Sequence, residues 1–119
     1  MEIIAHSVNE IKIAEIVSDE MIIQSAQDGL DLLGNVYYQG FDKVIIYENN
    51  ITSEFFDLKT KMAGDILQKF SNYRIGLAIV GDFEKYQSKS IRDFIFESNK
   101  TKHINFTETL ENALERLGN

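Results

Sequence analysis

The chain has 119 residues, of which 44% are hydrophobic and 26% charged, and these proportions are typical of a folded globular domain. Its formal net charge of -7 repels phosphate backbones, so we expect no binding to nucleic acid. The absence of cysteine excludes disulfides, thiolate catalysis and cysteine-ligated metal sites. We therefore expect a single domain over residues 1–119, with no cofactor indicated.

The amino-terminal sequence lacks a basic segment followed by a long apolar stretch, so it does not have the pattern of a signal peptide. No apolar run approaches the roughly 20 residues that a membrane helix requires. The sequence predicts a cytoplasmic protein without a membrane partner.

The first predicted elements are strands over residues 3–7 and 11–17, which form a hairpin. Ser18 or Asp19 is expected to cap the first helix, whose apolar residues recur at helical spacing and which ends at Gly34-Asn35. Residues 43–48 predict a buried parallel strand, because their apolar run is continuous rather than alternating.

The second half of the chain continues the alternation of strand and helix. Thr52 or Ser53 is expected to cap a long second helix, and residues 74–80 predict the next strand. Ser88 or Ser90 is expected to cap a third helix, and residues 103–106 predict a short strand. Thr107 is expected to cap the last helix, which ends at Gly118.

The element order is therefore ββαβαβαβα, which predicts an α/β fold with a mixed, mostly parallel sheet of about five strands and about four helices. Right-handed crossovers would bring the chain after Tyr47 and after Val80 to the same end of the sheet. Ligands and partners of open α/β sheets bind at such strand ends.

We therefore expect recognition through residues 48–53 and 82–90. The asparagines would supply adaptable hydrogen bonds, the acidic residues charge, and the tyrosine an amphipathic contact. The candidate binding residues are Glu48, Asn49, Asn50, Thr52, Ser53, Asp82, Tyr86 and Ser88. This pattern favours a small regulatory or protein-interaction module and identifies no catalytic residue.

Two alternative functions remain open. Glu48 and Asp82 could act as an acid–base pair in a small-molecule-binding protein or weak hydrolase, provided that both carboxylates converge in a pocket. Asp82 follows Gly81, so its other interpretation is that it holds a turn. Tyr37, Tyr38 and Phe41 could instead form an exposed patch for a partner or a homo-oligomer, or cover the core.

Other polar residues indicate structure rather than chemistry. Ser88-Lys89-Ser90 lacks the spacing of a serine–lysine catalytic site, so helix capping is the favoured interpretation. His6 and His103 have no metal-ligand spacing, and no metal site is expected.

Longer stretches of the chain carry a family resemblance. Two segments resemble the STAS or anti-sigma-factor-antagonist-like superfamily. The first runs from Phe70-Ser71-Asn72-Tyr73-Arg74 through Gly81-Asp82, and the second is Glu108-Thr109-Leu110-Glu111-Asn112-Ala113-Leu114. Nearly the whole chain resembles a bacterial family called domain of unknown function DUF4180. The segments that carry this second resemblance are Tyr37-Tyr38-Gln39-Gly40-Phe41-Asp42, Phe56-Asp57-Leu58-Lys59-Thr60-Lys61, Ser88-Lys89-Ser90-Ile91-Arg92-Asp93-Phe94 and Glu97-Ser98-Asn99.

The STAS resemblance implies a fold and, in its phosphoswitching members, an Asp-Ser pair where the second helix begins. This chain has Asn49-Asn50-Ile51-Thr52-Ser53-Glu54 there and lacks that pair. Thr52 or Ser53 is the nearest hydroxyl, and capping explains both residues without phosphorylation.

Overall fold

The computed structural model describes all 119 residues and contains five strands and four α-helices. In chain order they are β1 (Glu2–Val8), β2 (Ile11–Val17), α1 (Ala26–Tyr38), β3 (Lys43–Tyr47), α2 (Met62–Asn72), β4 (Gly76–Val80), α3 (Lys89–Thr101), β5 (Ile104–Thr107) and α4 (Leu110–Leu117). Three short 3-10 turns lie between β3 and α2, over Glu48–Asn50, Ser53–Phe56 and Leu58–Thr60. None of the helices combines the length and the apolarity that crossing a membrane requires.

The strands form one sheet in the order β1-β2-β3-β4-β5. β1 pairs antiparallel with β2, and every later neighbour pairs in parallel. The predicted α/β class, the ββαβαβαβα order and the mixed, mostly parallel sheet are therefore confirmed.

The hairpin between β1 and β2 closes through Asn9 and Glu10, whose φ angles are 52° and 70°. Positive φ at both central residues is the conformation that matches the right-handed twist of paired strands. Asparagine adopts this region readily, which suits the first position. The tight turn sets the register in which Val8 lies opposite Ile11.

Helices cover both faces of the sheet, but unequally. The larger core cluster has 22 buried residues and includes side chains of α1, α2 and α3, with Phe55 and Phe70 at most 1% exposed. The smaller cluster has 6 buried residues and joins α4 to the opposite face, through Ala113 and Leu117. Residues 44–46 are buried on both faces, which explains their unbroken apolar run.

The first helix differs from its predicted bounds at both ends. Neither Ser18 nor Asp19 caps it; the cap is Ser25, whose side chain accepts a hydrogen bond from the Asp28 amide at 3.2 Å. The helix also continues past Gly34 to Tyr38. Residues 18–24 do not extend it because they pack against the chain after β3, where the Ile22 and Ile23 amides donate to the Asn50 carbonyl.

The prediction that the second helix begins after Thr52 or Ser53 is also wrong. Only a 3-10 turn begins there, and α2 begins at Met62. Side chains compete with the helix for the backbone in this segment. The Asp57 carboxylate accepts from the Lys59 amide at 3.2 Å, and the Thr60 hydroxyl donates to the Glu54 carbonyl at 2.8 Å. Lys61 then adopts a left-handed φ of 64°, which separates the turns from α2.

The starts of β4 and α4 and the capping of α3 differ from their predictions in smaller ways. β4 begins at Gly76 because Arg74 has a left-handed φ of 57°. Ser88 precedes α3 as predicted, although its hydroxyl lies 2.9 Å from that of Ser90 and does not cap the backbone. Thr107 belongs to β5, and Thr109 caps α4 by accepting from the Asn112 amide at 3.1 Å.

Candidate functional site

The chain leaves two neighbouring strands at the same end of the sheet. Tyr47, the last residue of β3, lies in register with Val80, the last residue of β4. The segments that follow, residues 48–53 and 82–90, are those selected from the sequence. We call them together the strand-end surface.

Glu48 joins the two halves of the strand-end surface. Its side chain is only 6% exposed, and its Oε2 atom accepts a hydrogen bond from the Tyr86 hydroxyl and lies 2.7 Å from the Lys85 ammonium. Gly81 lets this carboxylate approach β4, because a Cβ atom there would lie 2.5 Å from Glu48 Cβ. A buried carboxylate is stable only with such partners.

Tyr86 has a second set of contacts on its ring. The ring stacks on Phe56, with centroids 4.8 Å apart, and lies near Phe83. Burial raises the pKa of the Tyr86 hydroxyl, and the bond to Glu48 raises this pKa further. Tyr86 is therefore a protonated donor at neutral pH, and it ties residues 82–90 to residues 48–56.

Asn50 is buried and its side chain is used inside the fold. Its amide nitrogen donates to the Ser18 carbonyl at 2.9 Å and to the Glu20 carbonyl at 2.7 Å. The same residue accepts backbone bonds from Ile22 and Ile23. Asn50 thus positions the loop before α1, and its amide does not face solvent.

The remaining sequence-selected residues divide by exposure. Thr52 is half-buried and its hydroxyl accepts from the Glu54 amide at 3.5 Å, so it caps a 3-10 turn. Asp82 is exposed, and its Oδ1 atom accepts from the Glu84 amide at 3.1 Å, as in the turn interpretation. The side chains that face solvent are Asn49, Ser53, Asp82 and Ser88.

Glu48 and Asp82 have different partners in the structure. The Glu48 carboxylate is occupied by Tyr86 and Lys85. Asp82 lines a different, open hollow of about 510 Å³, whose other lining residues are Gly81, Glu84 and Glu108. No group of three or more potential ligand side chains could hold a metal ion.

A second cluster of polar side chains, centred on Glu15 of β2, was missed from the sequence. Glu15 is buried in β2 and accepts from His6 Nε2 at 2.8 Å and from the Tyr47 hydroxyl at 2.7 Å. Burial, followed by the bond to Glu15, raises the pKa of Tyr47 to about 12. A lone glutamate in the apolar run Ile13-Ala14-Glu15-Ile16-Val17 was the available signal.

The exposed aromatic patch predicted around Tyr37 contains different residues in the structure. Tyr37 and Tyr38 are 54% and 91% exposed, whereas Phe41 packs against the larger core cluster. Tyr73 takes its place, being 49% exposed, and its ring meets that of Tyr37 edge to face at 5.3 Å. We call Tyr37, Tyr38 and Tyr73 the tyrosine patch.

His103 is the other histidine and it faces no metal ligand. Its Nε2 atom is buried without a hydrogen-bond partner. Burial lowers the pKa of His103, and the nearby Lys43 ammonium lowers this pKa further. The imidazole is therefore neutral at neutral pH.

The fold and site define the chain as a small α/β domain with a mixed five-stranded sheet and a polar surface at the ends of its parallel strands. It belongs to the family described as domain of unknown function (DUF4180), whose model matches residues 8–117. Neither the curated proteins nor the solved structures give a significant match.

Proposed function

We propose that this protein is a regulatory or protein-interaction module that recognises a protein partner through the strand-end surface. The observation that carries the proposal is the buried Glu48 carboxylate, which is bonded by both Tyr86 and Lys85. These bonds connect two segments that are far apart in the chain and hold them as one surface.

A surface that is held before binding loses little conformational freedom when the partner arrives. Stacking of Tyr86 on Phe56 extends the rigid support below the exposed residues. The polar side chains above it can therefore form hydrogen bonds with a partner at low entropic cost.

The charge of the surface indicates the chemistry of the partner. Asp82, Glu84 and Glu108 surround one open hollow, and the chain as a whole has a net charge of -7. A partner segment that carries lysine or arginine complements this surface, and its association should slow as ionic strength rises.

The STAS-like superfamily, a bacterial origin and a cytoplasmic location are parts of this proposal. The element order ββαβαβαβα supports the STAS-like assignment. A phosphoswitch at Thr52 or Ser53 has less support, because Thr52 precedes and Ser53 begins a four-residue 3-10 turn rather than an α-helix. The acid–base alternative also has less support, because the Glu48 carboxylate is already bonded elsewhere.

The test is capture of partners by the immobilised chain, with variants that keep the fold. Asn49→Ala combined with Asp82→Ala removes two exposed side chains. Tyr38→Ala is the matched control, because it removes a side chain that is 91% exposed and lies outside the strand-end surface. We expect the double variant to lose partners that the control retains. Equal capture by both variants would contradict the proposal.

The tyrosine patch favours a second candidate function, an oligomerisation module. Three exposed tyrosines, of which Tyr37 and Tyr73 are in ring contact, provide the amphipathic contact area that interfaces use. Tyr37→Ala with Tyr38→Ala should then lower the molecular mass in solution. An unchanged mass would remove this candidate.

A further inference from the structure

The sheet has two lateral edges, and one of them is closed by a side chain. On β5, the Phe106 amide donates to Asn99 Oδ1 at 2.7 Å, and Asn99 Nδ2 donates to the Phe106 carbonyl at 3.2 Å. Asn99 comes from α3 and takes the place that a neighbouring strand would occupy. A further strand cannot pair there without displacing it.

The β1 edge has no comparable protection. Its 7 residues pair with β2 without a bulge and include no proline and no lysine. Glu2, Ala5 and Ser7 are exposed, and Ile4 is 39% exposed. Proteins usually protect edge strands with a bulge, a proline, a lysine or a covering segment, because an open edge is a template for another strand.

The hydrogen bonds of β2 identify which groups of β1 point outward. The Lys12 amide donates to Asp42 Oδ2, and the Asp42 amide donates to the Lys12 carbonyl, each at 2.8 Å. Lys12 therefore turns its backbone groups away from its β1 partner, Ser7. In such an antiparallel pair the backbone amides and carbonyls of both residues point away from each other, so those of Ser7 point to solvent. Because this direction alternates along a strand, the amides and carbonyls of Ala5 and Ile3 point to solvent as well.

We propose that β1 pairs antiparallel with β1 of a second copy of this chain, with Ile4 opposite Ile4 across a two-fold axis. In this register Ile3 lies opposite Ala5 of the second copy, so residues with outward groups meet and exchange both hydrogen bonds. The arrangement is self-complementary and closes as a dimer. It joins the two five-stranded sheets into one continuous sheet.

Charge complementarity selects this register. It places the Glu2 carboxylate opposite His6 of the second copy, and the exposed Ile4 side chains cover each other. The Nε2 atom of His6 already contacts Glu15, which leaves Nδ1 as the ring nitrogen available to Glu2 of the second copy. Shifting the centre to Ala5 would instead place Glu2 opposite Val8 and Ile4 opposite His6.

A disulfide trap tests the register, since the chain has no cysteine of its own. Ile4 would occupy a non-hydrogen-bonded pair, whose Cα atoms are about 4.5 Å apart, within the range of a disulfide. We expect Ile4→Cys to give roughly tenfold more disulfide-linked dimer than Ala5→Cys under mild oxidation. More linkage at Ala5 than at Ile4, or equal linkage, would overturn the proposal.

Light scattering over a concentration series tests the dimer itself. The wild-type mass should approach twice the 13.7 kDa of one chain. Ala5→Pro removes a backbone amide that points to solvent and leaves the β1–β2 hydrogen bonds intact, so we expect a folded monomer with the mass of one chain. Tyr38→Ala should remain dimeric. A single-chain mass for the wild type at millimolar concentration would overturn the proposal, whether or not the proline variant folds.

Discussion

Replacing Tyr86 by phenylalanine removes one hydroxyl and leaves the ring that stacks on Phe56. The lost group donates to the Glu48 carboxylate, which is only 6% exposed and is left with Lys85 as its remaining partner. A hydrogen bond to a charged group contributes about 1.5–3 kcal/mol. Because Tyr86 is half-buried and Lys85 remains, we expect a loss near the lower end, about 2 kcal/mol.

This loss converts into a measurable shift of the melting temperature. For a chain of 119 residues, the entropy of unfolding gives about 4 °C per kcal/mol, so Tyr86→Phe should melt about 8 °C lower. Urea unfolding should show the same loss without a change in slope. Tyr38→Phe is the matched control, because that side chain is 91% exposed, and it should melt with the wild type. Equal stability of Tyr86→Phe and the wild type would refute the role given to Glu48.

Two further predictions concern other parts of the fold. In α1, Gly29→Ala should lower the free energy of unfolding by about 1–3 kcal/mol, because a Cβ at Gly29 would lie 2.7 Å from Ile66 Cδ1. Gly34→Ala should raise the free energy of unfolding by about 0.5–1 kcal/mol, because a Cβ at Gly34 would meet nothing within 4 Å. Urea unfolding measures both changes. The opposite order would contradict the packing of α1 on α2. The Tyr47 pKa of about 12 exceeds the ordinary value of 10.0, so Tyr47 contributes stability that is present below pH 10 and is lost as pH rises towards 12. Tyr47→Phe should therefore lose less stability than the wild type over that range, and an equal loss would show that another group dominates.

The strands and their order could be predicted because their signals are local. Residues 44–46 and 77–79 are apolar without interruption, and the structure buries them on both faces of the sheet. Two strands separated by a crossover helix must then run parallel. The order of elements along the chain and the parallel direction of the later strands needed no knowledge of distant contacts.

The helix boundaries failed where side chains bond to the backbone of distant or competing segments. Ser18 was a reasonable cap, but its carbonyl is bonded by Asn50, which lies beyond the next strand. Thr52 and Ser53 were reasonable caps, but Asp57 and Thr60 divert the backbone into 3-10 turns. Such competition depends on the assembled fold and leaves no periodic signal.

The exit of the chain after β3 and after β4 at one end of the sheet was predicted, but the contacts between the two segments were not. Parallel topology alone brought residues 48–53 and 82–90 to one end of the sheet. The pairing of Glu48 with Tyr86, and of Glu15 with His6 and Tyr47, depends on side-chain directions across neighbouring strands. Exposure also could not be read from residue type, since Asn50 is buried and Asn49 is exposed.

Hydrogen exchange of the chain, alone and with a captured partner, tests recognition by the strand-end surface most directly. We expect partner-dependent protection at backbone amides within residues 48–53 and 82–90, and none at Tyr37, Tyr38 or Tyr73. Protection confined to the tyrosine patch, with unchanged exchange at residues 48–53 and 82–90, would contradict the account.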